Sequence, residues 1–198
     1  DGVETQFTAV VDPYWKANVQ IGIHPEHGHE EGEDAHGVTY AAHVEGAYLD
    51  SQALPAGWAL RAGRFRLPFG KHKPLHMHQF PFADSPVGLD AFLGDHALIE
   101  NGLQVSHGLP VPWFSDLTGY AVGGDADVFD AGHRDPAWGA RLVNMWDVSQ
   151  DATVELSGSY LHGVDGRHPG EGAAVGFLGA DLTYKWVSSA RTGGPALT

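Results

Sequence analysis

Two stretches of the chain concentrate side chains able to bind a metal. The first, His24-Pro25-Glu26-His27-Gly28-His29-Glu30-Glu31-Gly32-Glu33-Asp34-Ala35-His36, holds four histidines and five carboxylates. Imidazole and carboxylate together suit zinc, copper, nickel or iron, and His27-x-His29 can present two ring nitrogens to one ion. The second, Lys71-His72-Lys73-Pro74-Leu75-His76-Met77-His78, repeats that spacing in His76 and His78, with His72 upstream. The expected ligands are therefore His24, His27, His29, His36, His72, His76 and His78, with zinc the favoured ion and no cofactor required. The competing reading of the first stretch is a solvated acidic loop with incidental histidines. The second competes with an ordinary external loop, or, through Arg64, Arg66, Lys71 and Lys73, with an anion-attracting constriction.

Catalysis has no comparable signature. The sequence contains no Gly-x-Ser-x-Gly, no His-Glu-x-x-His and no phosphate-cradling glycine loop, so no enzyme activity is expected. With no cysteine there is neither a disulfide framework nor a thiolate metal site. A formal charge of -14 argues against nucleic-acid binding and suits cations or a solvated extracellular surface.

The elements that must carry these links read as strands. Trp15, Ala17, Val19, Ile21 and Ile23 share one face, opposite Lys16, Asn18, Gln20, Gly22 and His24. A period of two over ten residues is a strand with one apolar and one polar face, long enough to cross a bilayer when tilted. The same alternation marks strands over 4–12, 38–50, 58–65, 102–108, 114–122, 138–147, 152–162 and 176–186, nine in all, with a bulge expected after Gly46. Short links at 12–14, 54–57, 109–113 and 147–151 alternate with long polar links at 25–37, 66–101, 123–137 and 163–175. Antiparallel neighbours then gather short turns at one end and long loops at the other, as in outer-membrane barrels.

Five of the six tryptophans sit at the short-link end: Trp15, Trp58, Trp113, Trp146 and Trp186. Such a girdle suits the headgroup depth of a membrane, whereas the core of a soluble β-sandwich would spread its rings along the strands. No run of about 18 apolar residues exists, so no transmembrane helix is expected. Asp1-Gly2-Val3-Glu4 has neither the basic nor the apolar segment of a signal peptide; either a signal was removed or the sequence begins within a longer protein.

The stretches Arg61-Ala62-Gly63-Arg64-Phe65, Phe69-Gly70-Lys71-His72, His76-Met77-His78-Gln79-Phe80-Pro81-Phe82 and Asp84-Ser85-Pro86 resemble a group of proteobacterial outer-membrane barrels. These are known as zinc-regulated, TonB-dependent receptor-like or porin-like proteins. Phe92-Leu93-Gly94-Asp95, Glu100-Asn101-Gly102, Leu109-Pro110-Val111-Pro112-Trp113-Phe114 and Leu178-Gly179-Ala180-Asp181-Leu182-Thr183-Tyr184-Lys185-Trp186 extend the likeness over roughly residues 58–186. The resemblance implies an outer-membrane location in a Gram-negative bacterium and a link to metal supply. No plug domain or TonB box is recognisable, which favours a passive channel over TonB-coupled transport.

The expected fold is thus all-β: an antiparallel up-and-down transmembrane β-barrel occupying 1–198 as one domain, with 187–198 a non-strand tail. Nine strands is an odd count, and bacterial single-chain barrels have even ones, so the barrel is expected to be incomplete. The expected function is uptake of small solutes, a divalent metal such as zinc or its complex foremost. The alternatives are a general or anion-preferring porin and, more distantly, a soluble secreted β-sandwich. The expected partners are outer-membrane lipid and the solute, with no nucleic acid, and assembly into a homo-oligomer is left open.

Overall fold

The computed structural model describes residues 3–26, 39–75, 92–94, 98–126, 128–129, 135–166 and 172–187. Nine strands form in chain order: β1 (Val3–Val10), β2 (Trp15–Glu26), β3 (Thr39–Ser51), β4 (Trp58–Arg66), β5 (Ile99–Gly108), β6 (Phe114–Val122), β7 (Ala137–Asp147), β8 (Ala152–Val164) and β9 (Ala174–Trp186). They make one sheet in the order β1 to β9, every neighbouring pair antiparallel. Among the described residues β1 and β9 are its two edges.

The links behave as their chemistry dictates. In the first turn the Asp12 carboxylate accepts the backbone N–H of Tyr14 at 2.7 Å and of Trp15 at 2.8 Å, which ends β1 and starts β2 within four residues. A 3-10 turn at Pro55–Gly57 joins β3 to β4, with Ala56 and Gly57 both at positive φ. A bulge is present, before Gly46 rather than after it: Gln20 faces Gly46 but Ile21 faces Val44, leaving Glu45 as the extra residue of β3. That insertion turns Glu45 to the covered side, where Arg66 donates to it at 2.6 Å. The expected fifth strand starts three residues too late, because Ile99, Glu100 and Asn101 continue the pairing with β4 opposite Arg66, Phe65 and Arg64.

Pairing sorts the side chains into two faces. One carries Phe7, Val19, Ile23, Val44, Leu49, Leu103, Val105, Leu117, Leu142, Leu156, Leu178 and Leu182, all exposed. The other carries Asn18, Asp50, Arg61, Gln104, Thr118, Ser157, Ser159 and Asp181. Leu178 is 86% exposed and Leu103 54%, whereas Asn18 is 3% and Ser157 2%. The open face is therefore apolar, and the covered face is polar over the part nearer the short links, the reverse of a sheet that buries an apolar face against a partner layer.

The covered face is concave. Gly70 N–H donates to Ser159 Oγ at 2.9 Å, only four residues beyond Arg66 at the end of β4. Register places Ser159 on the row of Ala59, seven residues along and four strands across from Arg66. On a flat sheet that separation is roughly 30 Å, from about 4.8 Å per strand and 3.3 Å per residue. Four residues reach at most about 14 Å. The sheet must coil into a trough, and residues 67–75 run across it as a chord.

Candidate functional site

Two regions of the trough are built differently. At the end bearing the long links the interior is filled. Leu67 and Phe69 from the chord, Leu93 and Leu98 from the same link, and Val128 and Phe129 from the β6–β7 link pack with Phe65, Tyr120, Val122, Ala137 and Leu161. Glycines make the room. A Cβ at residue 179 would lie 3.2 Å from the Phe69 ring, one at 163 would collide with the Phe129 ring, and one at 139 with the Tyr120 hydroxyl. Glu100, fully buried, accepts the backbone N–H of Asp125 at 3.1 Å and of Ala126 at 2.6 Å, which holds the start of the β6–β7 link inside the trough.

The chord is pinned to the far wall by polar contacts as well. Lys71 Nζ donates to Thr183 Oγ1 at 2.6 Å and lies 3.7 Å from Glu155. Buried Lys73 donates to the Gly94 carbonyl. The four cations expected to form one anion-attracting constriction each have a partner of their own. Arg66 pairs with Glu45, Lys71 with Glu155, Lys73 turns to a carbonyl, and Arg64 Nε donates to the Val44 carbonyl at 3.0 Å. The link folds inward across the trough, and each of the four cations meets an acceptor of its own.

At the short-link end the trough holds an open polar cleft of about 250 Å3, with Lys16, Asp50, Arg61, Gln104 and Ser106 among its walls. Arg61 grips both Asp50 oxygens, at 2.7 and 3.2 Å. No reading of the sequence had singled these residues out. They stand on β2, β3, β4 and β5, and only the register makes them neighbours.

Of the expected metal ligands, His72 is placed in the turn of the chord, where its carbonyl accepts the Leu75 N–H at 2.9 Å. His24 belongs to β2. His27, His29, His36, His76 and His78 lie outside the described residues, as does the Phe80-Pro81-Phe82 segment. Among the described residues no three His, Asp or Glu side chains gather as a metal site.

The aromatic residues form two belts on the open face. Trp113 and Trp146 pack at 6.1 Å and Trp58 stacks on His107 at 4.3 Å at the short-link end. Trp138, the tryptophan left over by the sequence pattern, packs against Tyr160 at 5.2 Å and His162 at 5.4 Å at the other end. This second belt was missed because its ring partners come from the adjacent strand.

No family model matches the chain, and no solved structure matches it. An uncharacterized protein of Aquifex aeolicus is 36% identical to it over 85 residues. The match covers 43% of this chain and 18% of that protein, so the chain spans less than a fifth of this relative's length.

Proposed function

We propose that this chain is part of the wall of a bacterial outer-membrane β-barrel whose concave polar face lines a passage for small solutes. The observation that carries the reading is the inverted distribution of side chains, with leucine, valine and isoleucine on the open face and serine, asparagine, aspartate and arginine inside. In water such a surface would be an aggregation liability; in lipid it is the required one. The two belts set a height. Trp138 and Trp146 are eight residues apart on β7, which is about 26 Å along the strand. At a tilt of about 40° the rise is roughly 20 Å, close to the apolar band of outer-membrane barrels. A soluble sandwich would bury the open face under a second sheet, and the described residues contain a single sheet.

Among the described residues, nine up-and-down strands leave β1 and β9 running in the same direction. Antiparallel closure therefore takes an odd number of further strands, from the same protein or from another copy, since a bare sheet edge is not viable in hydrocarbon. The chord of residues 67–75 narrows the passage. The histidine-rich stretches begin at the end of β2 and in the chord, and their imidazoles favour a divalent metal such as zinc, or its complex, as the solute. The Lys16–Arg61 cleft favours a second reading, an anion-preferring passage; a metal held in an anionic complex would satisfy both.

The test is lipid contact. Reconstituted into vesicles, the protein should float with the lipid, and brominated acyl chains should quench its tryptophan emission. Sedimentation free of lipid, with unquenched emission, would overturn the reading.

A further inference from the structure

The cleft at the short-link end sets two cations beside one carboxylate. Register fixes its members: Lys16 lies across from Asp50, Asp50 from Arg61, and Arg61 from Gln104. Arg61 is held from behind. Its Nε and Nη2 donate to Asp50, and its guanidinium lies 4.2 Å from the Tyr48 ring centroid. Asn18 donates to Asp50 at 3.3 Å and accepts from Thr8 at 2.9 Å, so the network runs through four strands. Asp50, the only carboxylate among the described residues that line the cleft, is thereby engaged on both oxygens, while the Lys16 ammonium has no ion pair or hydrogen bond among the described residues. Two cations stand over one satisfied carboxylate, in a chain of formal charge -14.

We infer that this cleft binds a small organic monoanion. Its carboxylate lies between the Lys16 ammonium and the edge of the Arg61 guanidinium that Asp50 leaves open, and its hydroxyl or amide groups meet Gln104 and Ser106. An arginine fixed by a second-layer carboxylate presents its remaining donors without further ordering, which is the geometry that favours a carboxylate over a simple cation. A volume of about 250 Å3 corresponds to roughly eight waters at about 30 Å3 each. The part of the ligand seated in the cleft is thus of about that many non-hydrogen atoms, the size of a short hydroxy acid. As a statement about the transported solute the inference rests on the passage proposed above; as a statement about binding it stands on the cleft.

The experiment is calorimetric titration of the detergent-solubilised protein with glycerate, and with glycerol as its uncharged counterpart. Glycerate is expected to bind with a dissociation constant on the order of 1 mM, and glycerol not to bind at the same concentrations. Lys16→Gln should weaken glycerate about tenfold, whereas Lys185→Gln, on the same face but outside the cleft, should leave it unchanged. Ser106→Asp, which adds a carboxylate to the cleft without touching Lys16, should abolish binding and guards against a folding defect in the first variant. Equal heats for glycerate and glycerol, or parental affinity in both Lys16→Gln and Ser106→Asp, would overturn the site. Failure of glycerate to bind a protein that still floats with lipid overturns the site alone. Binding by a protein that does not float overturns the passage alone.

Discussion

The seat of the chord on the far wall can be tested by a double-mutant cycle on Phe69 and Gly179. The Phe69 ring is 3% exposed and would lie 3.2 Å from any Cβ placed on Gly179. Phe69→Ala empties that space, and large-to-small changes of this kind cost about 3–5 kcal/mol. Gly179→Val pushes two methyl groups against the ring, at about 1–3 kcal/mol for overpacking, of which the better strand propensity of valine returns up to about 1 kcal/mol. In the double variant the valine occupies the space the ring has left, so the two losses should fall short of their sum by at least about 1 kcal/mol. Urea unfolding of the lipid-reconstituted protein, followed by far-ultraviolet circular dichroism, supplies the four free energies. Additivity to within about 0.3–0.5 kcal/mol, the behaviour of sites that share no contact, would show that the chord does not rest on β9.

Gly63→Ala should be strongly destabilising, since Gly63 sits at φ 130° and a Cβ there collides with the Ala47 carbonyl oxygen and lies 2.8 Å from Tyr48 Cα; a strained backbone of this kind costs about 1–3 kcal/mol before the clash is counted. A parental midpoint in urea would contradict that. Glu100→Ala should orphan the Asp125 and Ala126 amides at about 1–3 kcal/mol each, and should show as faster hydrogen exchange at those two positions than at Leu103 and Val105; unchanged protection would mean that the carboxylate does not hold the link. Zinc titration should show binding that weakens in His27→Ala/His29→Ala or His76→Ala/His78→Ala variants and falls as pH drops from about 7.5 to 5.5, because only neutral imidazole coordinates. Binding unchanged in both pairs would remove the histidines as ligands.

The strands were legible because alternation is a local property, and all nine are present, β5 beginning three residues before its expected start. Ile21 and Gln20 announce two faces, and the barrel pattern turns the apolar one outward; the open face of the sheet is the apolar one, with the chord passing on the Gln20 side. The chord itself left a partial trace, since Leu67 and Phe69 are apolar residues in an otherwise polar link, a signal that the link folds inward. Its charges misled, because Arg66, Lys71 and Lys73 are neighbours in sequence yet meet Glu45, Glu155 and Gly94, which sequence spacing does not bring near. The anionic-ligand cleft was invisible for the same reason: Lys16, Asp50, Arg61 and Gln104 become one site only through three registers.

The inversion of faces is tested most directly on two adjacent residues of β5. Leu103 is exposed on the apolar face, and Gln104 lines the concave cleft one residue later. Leu103→Arg and Gln104→Arg should be refolded into phosphatidylcholine vesicles and their unfolding free energies compared with the parent. A lipid-facing midplane arginine should cost the first variant about 2–4 kcal/mol, while the second, opposite Arg61, should lose no more than about 1 kcal/mol through like-charge repulsion. Equal tolerance of both, or a larger loss at Gln104, would contradict the assignment of the faces.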